Sequence, residues 1–234
     1  MKIKLLLCAV FSGVQAFAVV WTGSLSYSND VSSGLSALGN NASTGWRKYS
    51  ILDWKVSDEE SGAPQGYDWF YSYTLEAEKF APVRWVIETG SGFSSDNIDL
   101  ASVEVYDEGV LTTYDSTNNI SFGSFADDDD LRKNMPAERY GMFWEATSPG
   151  GQSTKITQIT FWSDVAPQWG DLYANCGGNG NRGWNSGFTN ANPDVAASSG
   201  SVQNHVLAPI PEPATISLIG ISGLLALIIR RIFG

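Results

Sequence analysis

Residues 67–77 read YDWFYSYTLEA, and this alternation constrains the fold more than any other feature of the chain. Tyr67, Trp69, Tyr71, Tyr73 and Leu75 fall on one side, with Asp68, Ser72, Thr74 and Glu76 on the other. Successive side chains of a strand point to opposite faces, so a period of two makes one apolar face and one wet face. The pattern recurs. Val83, Trp85 and Ile87 align in residues 82–90; Val103 and Val105 in 101–109; and Tyr140, Met142, Trp144 and Ala146 in 138–147. Residues 154–164 are β-branched and alternating, and residues 46–56, 169–175 and 183–188 add shorter runs. Together these predict about eight strands.

The connections agree with that reading. SGAPQG, GSG, SPGG and CGGNGNRG place Gly or Pro where the chain must reverse. No stretch between residues 19 and 210 sustains a helical period; at most FADDDDLRKN, 125–134, forms one turn with an Asp as its N-cap. Short strands without alternating helices predict an all-β, antiparallel sandwich of jelly-roll-like form over residues 19–188. Residues 189–210 turn to Ser, Ala, Asn and Pro and read as a flexible linker.

The inventory of reactive groups is thin. The only histidine, His205, falls in that linker, away from any nucleophile it could activate. Cys176 sits in a glycine loop with no histidine near it in sequence, and as the only cysteine after residue 18 it has no intramolecular disulfide partner. Carboxylates are plentiful, but a glycosidase needs two that face each other, and these fall in turns or on the polar phases of strands. ADDDDL, 126–131, and SSDNID, 94–99, offer oxygens to calcium without EF-hand spacing. Asp164 and Asp171 flank a proline turn, where side-chain caps on backbone N–H groups explain them. The residues therefore predict no catalysis, no cofactor and no metal. Between residues 19 and 210 there are 24 acidic and 10 basic side chains, a formal charge of about −14, which argues against nucleic acid and anionic lipid as partners.

All nine tryptophans lie in the predicted sandwich. Trp69, Trp85 and Trp144 are in phase with apolar neighbours and read as core. Trp46, Trp169 and Trp184 adjoin glycines at loop edges and read as exposed, which makes them the candidate platform for a sugar ring.

The two ends read differently from the middle. Residues 1–18 carry Lys2 and Lys4, an apolar run and a small-x-small ending at Ala16 and Ala18, the form of a signal helix cleaved after Ala18. Residues 214–229 hold no charge and would span roughly 24 Å as a helix, a short transmembrane segment. Pro213 and Glu212 suit the start of that helix, and Arg230 and Arg231 suit a cytoplasmic end. Pro211, Glu212 and Pro213, the apolar run, and the pair Arg230 and Arg231 together resemble the PEP-CTERM sorting signal of Gram-negative bacteria, residues 211–234 here. The resemblance implies a transient single-pass anchor in inner-membrane lipid, processing by an exosortase near the motif, and release to the cell surface or extracellular matrix. Residues 159–177 also resemble a segment common among such proteins, through Ser163, Asp164, Ala166, Pro167, Trp169, Gly170, Asp171, Tyr173 and Ala174; SGFSSDNI, 91–98, resembles an upstream part. That domain carries no assigned activity. The expected role is structural or adhesive, with binding of an exopolysaccharide as the alternative and a glycan-active enzyme third.

Overall fold

The computed structural model describes residues 18–211, apart from 30, 39–44, 80–81, 108–109, 115–119, 129–131, 133, 146–154 and 177–179. Its fifteen strands are β1 (Val20–Ser28), β2 (Val31–Ser33), β3 (Leu35–Leu38), β4 (Tyr49–Ser57), β5 (Trp69–Ala77), β6 (Arg84–Glu88), β7 (Ile98–Asp107), β8 (Val110–Tyr114), β9 (Ile120–Phe125), β10 (Arg139–Glu145), β11 (Lys155–Ser163), β12 (Pro167–Gly170), β13 (Leu172–Asn175), β14 (Arg182–Asn185) and β15 (Val206–Pro209). Two single-turn 3-10 segments, Gly45–Arg47 and Ser95–Asn97, are the only helices among the described residues. None is long and apolar enough to cross a membrane. The predicted span 214–229, Glu212, Pro213, Arg230, Arg231 and Ala16 lie outside the described residues; Ala18 is exposed at their N-terminal limit.

A seven-stranded sheet runs β2-β1-β4-β5-β11-β7-β8, a six-stranded sheet runs β3-β14-β13-β6-β10-β9, and β12 pairs with β15 alone. Among the described residues every pairing between these strands is antiparallel, and one isolated parallel bridge joins Ser26 to Gly34. The alternation predicts the inner faces well. Leu52, Trp54 and Val56 from β4, and Tyr71, Tyr73 and Leu75 from β5, meet Trp85, Ile87, Met142 and Trp144 from the opposite sheet in one buried cluster. This places the main core between two antiparallel sheets, as a sandwich requires.

Two departures matter for the site. The six-stranded sheet is apolar on both faces: Val86, Phe125, Met135, Phe143, Tyr173 and Phe188 form a second buried cluster. Loop residues close over that outer face, so its strands do not read as half-wet. The second departure is a correction. Residues 189–210, expected to be a flexible linker, contain β15, whose Val206, Leu207 and Ala208 are fully buried. Tyr73 donates its hydroxyl proton to the Leu207 carbonyl at 2.7 Å, tying this late strand to β5. The unit that begins near residue 19 therefore continues to Pro209, and Pro211 lies against Gly90 at the end of β6.

Candidate functional site

At one end of the six-stranded sheet β6 and β14 stop while β10 and β13 start. This convergence brings Glu88, Arg139, Asp171 and Asn185 together, and the late segment adds Asn192 and His205. Asp171, between β12 and β13, is 1% exposed. Its Oδ2 accepts from Arg139 Nε at 2.8 Å and its Oδ1 from Asn185 Nδ2 at 2.6 Å. His205 Nδ1 lies 3.0 Å from the same Oδ1. Neither ring nitrogen of His205 has a well-aligned hydrogen bond among the described residues, so this approach is a close polar contact. Glu88 Oε2 accepts from the Asp171 backbone N–H at 2.9 Å and stands 3.6 Å from Arg139 Nε. Glu88 Oε1 accepts from Asn192 Nδ2 at 3.1 Å. Arg139 also donates to the carbonyls of Phe188 and Glu138, and its guanidinium lies 4.9 Å from the Phe188 ring centre.

The two carboxyls respond in opposite ways. Burial raises the cost of charging Asp171, but His205, Asn185 and Arg139 outweigh it and hold the carboxyl below its ordinary value. Glu88 is pushed up to about 7, first by burial and then by the Asp171 charge, with Arg139 and Asn192 opposing only in part. One carboxylate thus carries the charge that balances Arg139, while its neighbour holds a proton through mildly acidic pH.

Sequence reasoning missed this cluster and misread two of its members. His205 is not in a mobile linker: it is fully buried, and it packs so closely on Gly187 that a Cβ there would lie 2.7 Å from its ring. Asp171 does not cap a turn; its oxygens meet side chains from three other segments. The missed signal was the apolar run VLAPI directly after His205, which marks a buried strand rather than a spacer.

The tryptophan expectation is also corrected. Trp46 and Trp169 are 0% and 1% exposed, both in the main core. Trp184 is half-buried against the second cluster. Trp85 and Trp144 are core as expected, whereas Trp69 is half-buried and stacks on Trp21 at 5.7 Å between ring centres. Cys176 is buried and makes no disulfide. Asp164 accepts from the Asn97 side chain at 3.1 Å, linking the 91–98 and 163–174 segments. Among the described residues no group of three or more His, Cys, Asp or Glu is placed to hold a metal ion.

A concave feature lies elsewhere. Thr22, Gly23 and Ser24 of β1, Asp53, Trp54 and Lys55 of β4, and Ser72 and Thr74 of β5 line an open groove. Its Lys55 is paired to Glu60 at 2.5 Å and lies 5.8 Å from the Phe70 ring centre.

The fold and these sites define an all-β protein of two antiparallel sheets closed by a late strand. No family model matches the chain, and none of the curated proteins compared with it matches. Among solved structures, the KRT10-binding region domain of the pneumococcal serine rich repeat protein PsrP is similar over 82% of this chain and 99% of that one, at 8% identity and a TM-score of 0.25. A likeness of that size carries no argument about fold detail or function.

Proposed function

We propose that the chain is an exported surface or matrix protein whose sandwich is a structural or adhesive, non-catalytic module, carried outward by a signal helix at residues 1–18 and a PEP-CTERM sorting signal at 211–234. The observation that carries this reading is the way the sandwich finishes. Its last strand is buried, is bonded into the core through Tyr73, and ends at Pro209. The Pro-Glu-Pro triplet follows two residues later, so a cut near it would release an intact folded body. The non-catalytic part is supported by His205, the chain's only histidine: its Nε2 is buried and meets no hydroxyl or thiol among the described residues. Exosortase and inner-membrane lipid are the partners this reading requires.

Intact mass and fractionation of the protein recovered from cells test it. A mass ending near Pro211–Pro213 in the surface or medium fraction is expected. A mass running to Gly234 in the inner membrane would overturn sorting and leave a permanent anchor.

Carbohydrate binding is the second reading. With Trp46 and Trp169 buried, the open groove on β1, β4 and β5 is the surface that favours it.

A further inference from the structure

We infer that the groove across β1, β4 and β5 is a binding site for an uncharged polysaccharide strand laid across the β-strands. The pairing registers show how it is built. Thr22 pairs with Lys55 and Lys55 with Ser72, which makes one polar rank. Ser24 pairs with Asp53 and Asp53 with Thr74, which makes a second. The ranks continue beyond the groove: Ser72 to Thr160 to Ser102, and Thr74 to Gln158 to Glu104. All of these side chains sit on the face turned away from the core, because Leu52, Trp54 and Val56 alternate with them. Neighbouring strands lie about 4.8 Å apart, close to the length of one pyranose unit, so successive sugars would meet successive strands.

The hydroxyls of the ranks differ in how far they are satisfied. Beyond the groove those of Ser102 and Thr160 lie 2.9 Å apart, and at its edge Gln158 donates to the groove residue Ser72 at 2.9 Å. Inside it the hydroxyls of Thr22, Ser24 and Thr74 bond to no protein group among the described residues. They are short, hold both donors and acceptors, and stand beside the Asp53 acceptor. Such a set matches a ligand presenting many hydroxyls and no charge.

Charge decides against the alternatives. The one cation, Lys55, is already neutralised by Glu60, and Asp53 is exposed and acidic. A sulfated or uronic polymer, or nucleic acid, would meet net repulsion in a chain of formal charge −11. An apolar partner would bury these hydroxyls unpaired. This inference names a ligand class for the adhesive reading and rests on it for its biological sense. Binding by purified protein and sorting in cells fail independently, so either can be lost without the other.

The test is titration calorimetry on the purified full chain, in a detergent without a sugar headgroup. The probes are cellohexaose, laminarihexaose, mannohexaose and maltohexaose, with oligogalacturonate as the charged counterpart. At least one neutral hexasaccharide is expected to bind. Ser24→Trp, which fills the groove, and Asp53→Ala, at an exposed position, should each weaken it by about tenfold or more, while Trp184→Ala, on the opposite sheet, leaves it unchanged. Thermal melts of both groove variants show that they fold; Asp53→Ala carries the test if Ser24→Trp does not. Four results would overturn the inference: no neutral binding, preference for oligogalacturonate, unchanged affinity in the folded groove variants, or loss of binding in Trp184→Ala.

Discussion

Replacing Glu88 by Gln should make the protein more stable at alkaline pH and leave it nearly unchanged at pH 5. The side chain keeps its size, and the amide can still accept from the Asp171 N–H and meet Asn192. Only the ionisable proton is lost. In the folded chain Glu88 is pushed up to about 7, against 4.5 for the free group. The folded state therefore binds more protons than the unfolded state across that interval, and stability falls as pH rises through it. The contribution is complete below pH 4.5 and gone above 7. At about 1.4 kcal/mol per unit, roughly 3 kcal/mol is available in all, of which about 2.5 kcal/mol separates pH 5 from pH 8. Asp171 does not blur the comparison, because its carboxyl is held below its ordinary value and stays ionised in both states over this range. Urea unfolding followed by tryptophan fluorescence, at pH 5 and pH 8 for both proteins, gives the difference directly. The variant should gain about 2.5 kcal/mol on the wild type between the two pH values. A variant that is equally destabilised at both pH values would refute the reasoning. It would mean that Glu88 acts as the charged partner of Arg139 and not as a protonated neighbour of Asp171.

Three further outcomes follow from the packing. His205→Ala removes a fully buried ring and one neighbour of the Asp171 charge, and should cost on the order of 2–4 kcal/mol; hydrogen exchange should rise first in residues 186–210. Trp169→Ala should cost about 3–5 kcal/mol because the ring is core, and Trp184→Ala clearly less because it is half-exposed; equal effects by chemical denaturation would contradict the burial. Tyr73→Phe strips the bond to the Leu207 carbonyl without opening a cavity and should cost about 1–2 kcal/mol, read as a lower urea midpoint with an unchanged slope.

The strands that sequence found and those it missed differ in how much each signals locally. Tyr71, Tyr73 and Leu75 declare their strand because large apolar and polar residues alternate without interruption. β1 alternates too, with Trp21, Leu25 and Tyr27 on one side and Thr22, Ser24 and Ser26 on the other. Gly23 breaks its apolar phase, and the surrounding serines resemble a loop. β15 is four residues long and contains a proline, too short for any period to register.

Glycine misled the reading of the tryptophans for a physical reason. A Trp beside Gly looks like a loop edge, yet the missing side chain is what allows another element to lie close. A Cβ on Gly170 would stand 2.6 Å from Ile210 and 3.1 Å from Ala208, so the absent atom makes room for the late strand that pairs with Trp169.

The sequence alone determined that residues 19–188 are all-β and antiparallel and which residues of β5, β6 and β10 face inward. These depend on the order of neighbouring side chains, and period and composition record that order. Only the tertiary structure decided that His205 meets Asp171, that Glu88 is buried beside that charge, that Trp169 is core, and that the hydroxyls of Thr22, Ser24 and Thr74 share one groove. Each of these depends on what a distant segment places against the residue, and burial by a distant neighbour leaves no period in the local sequence.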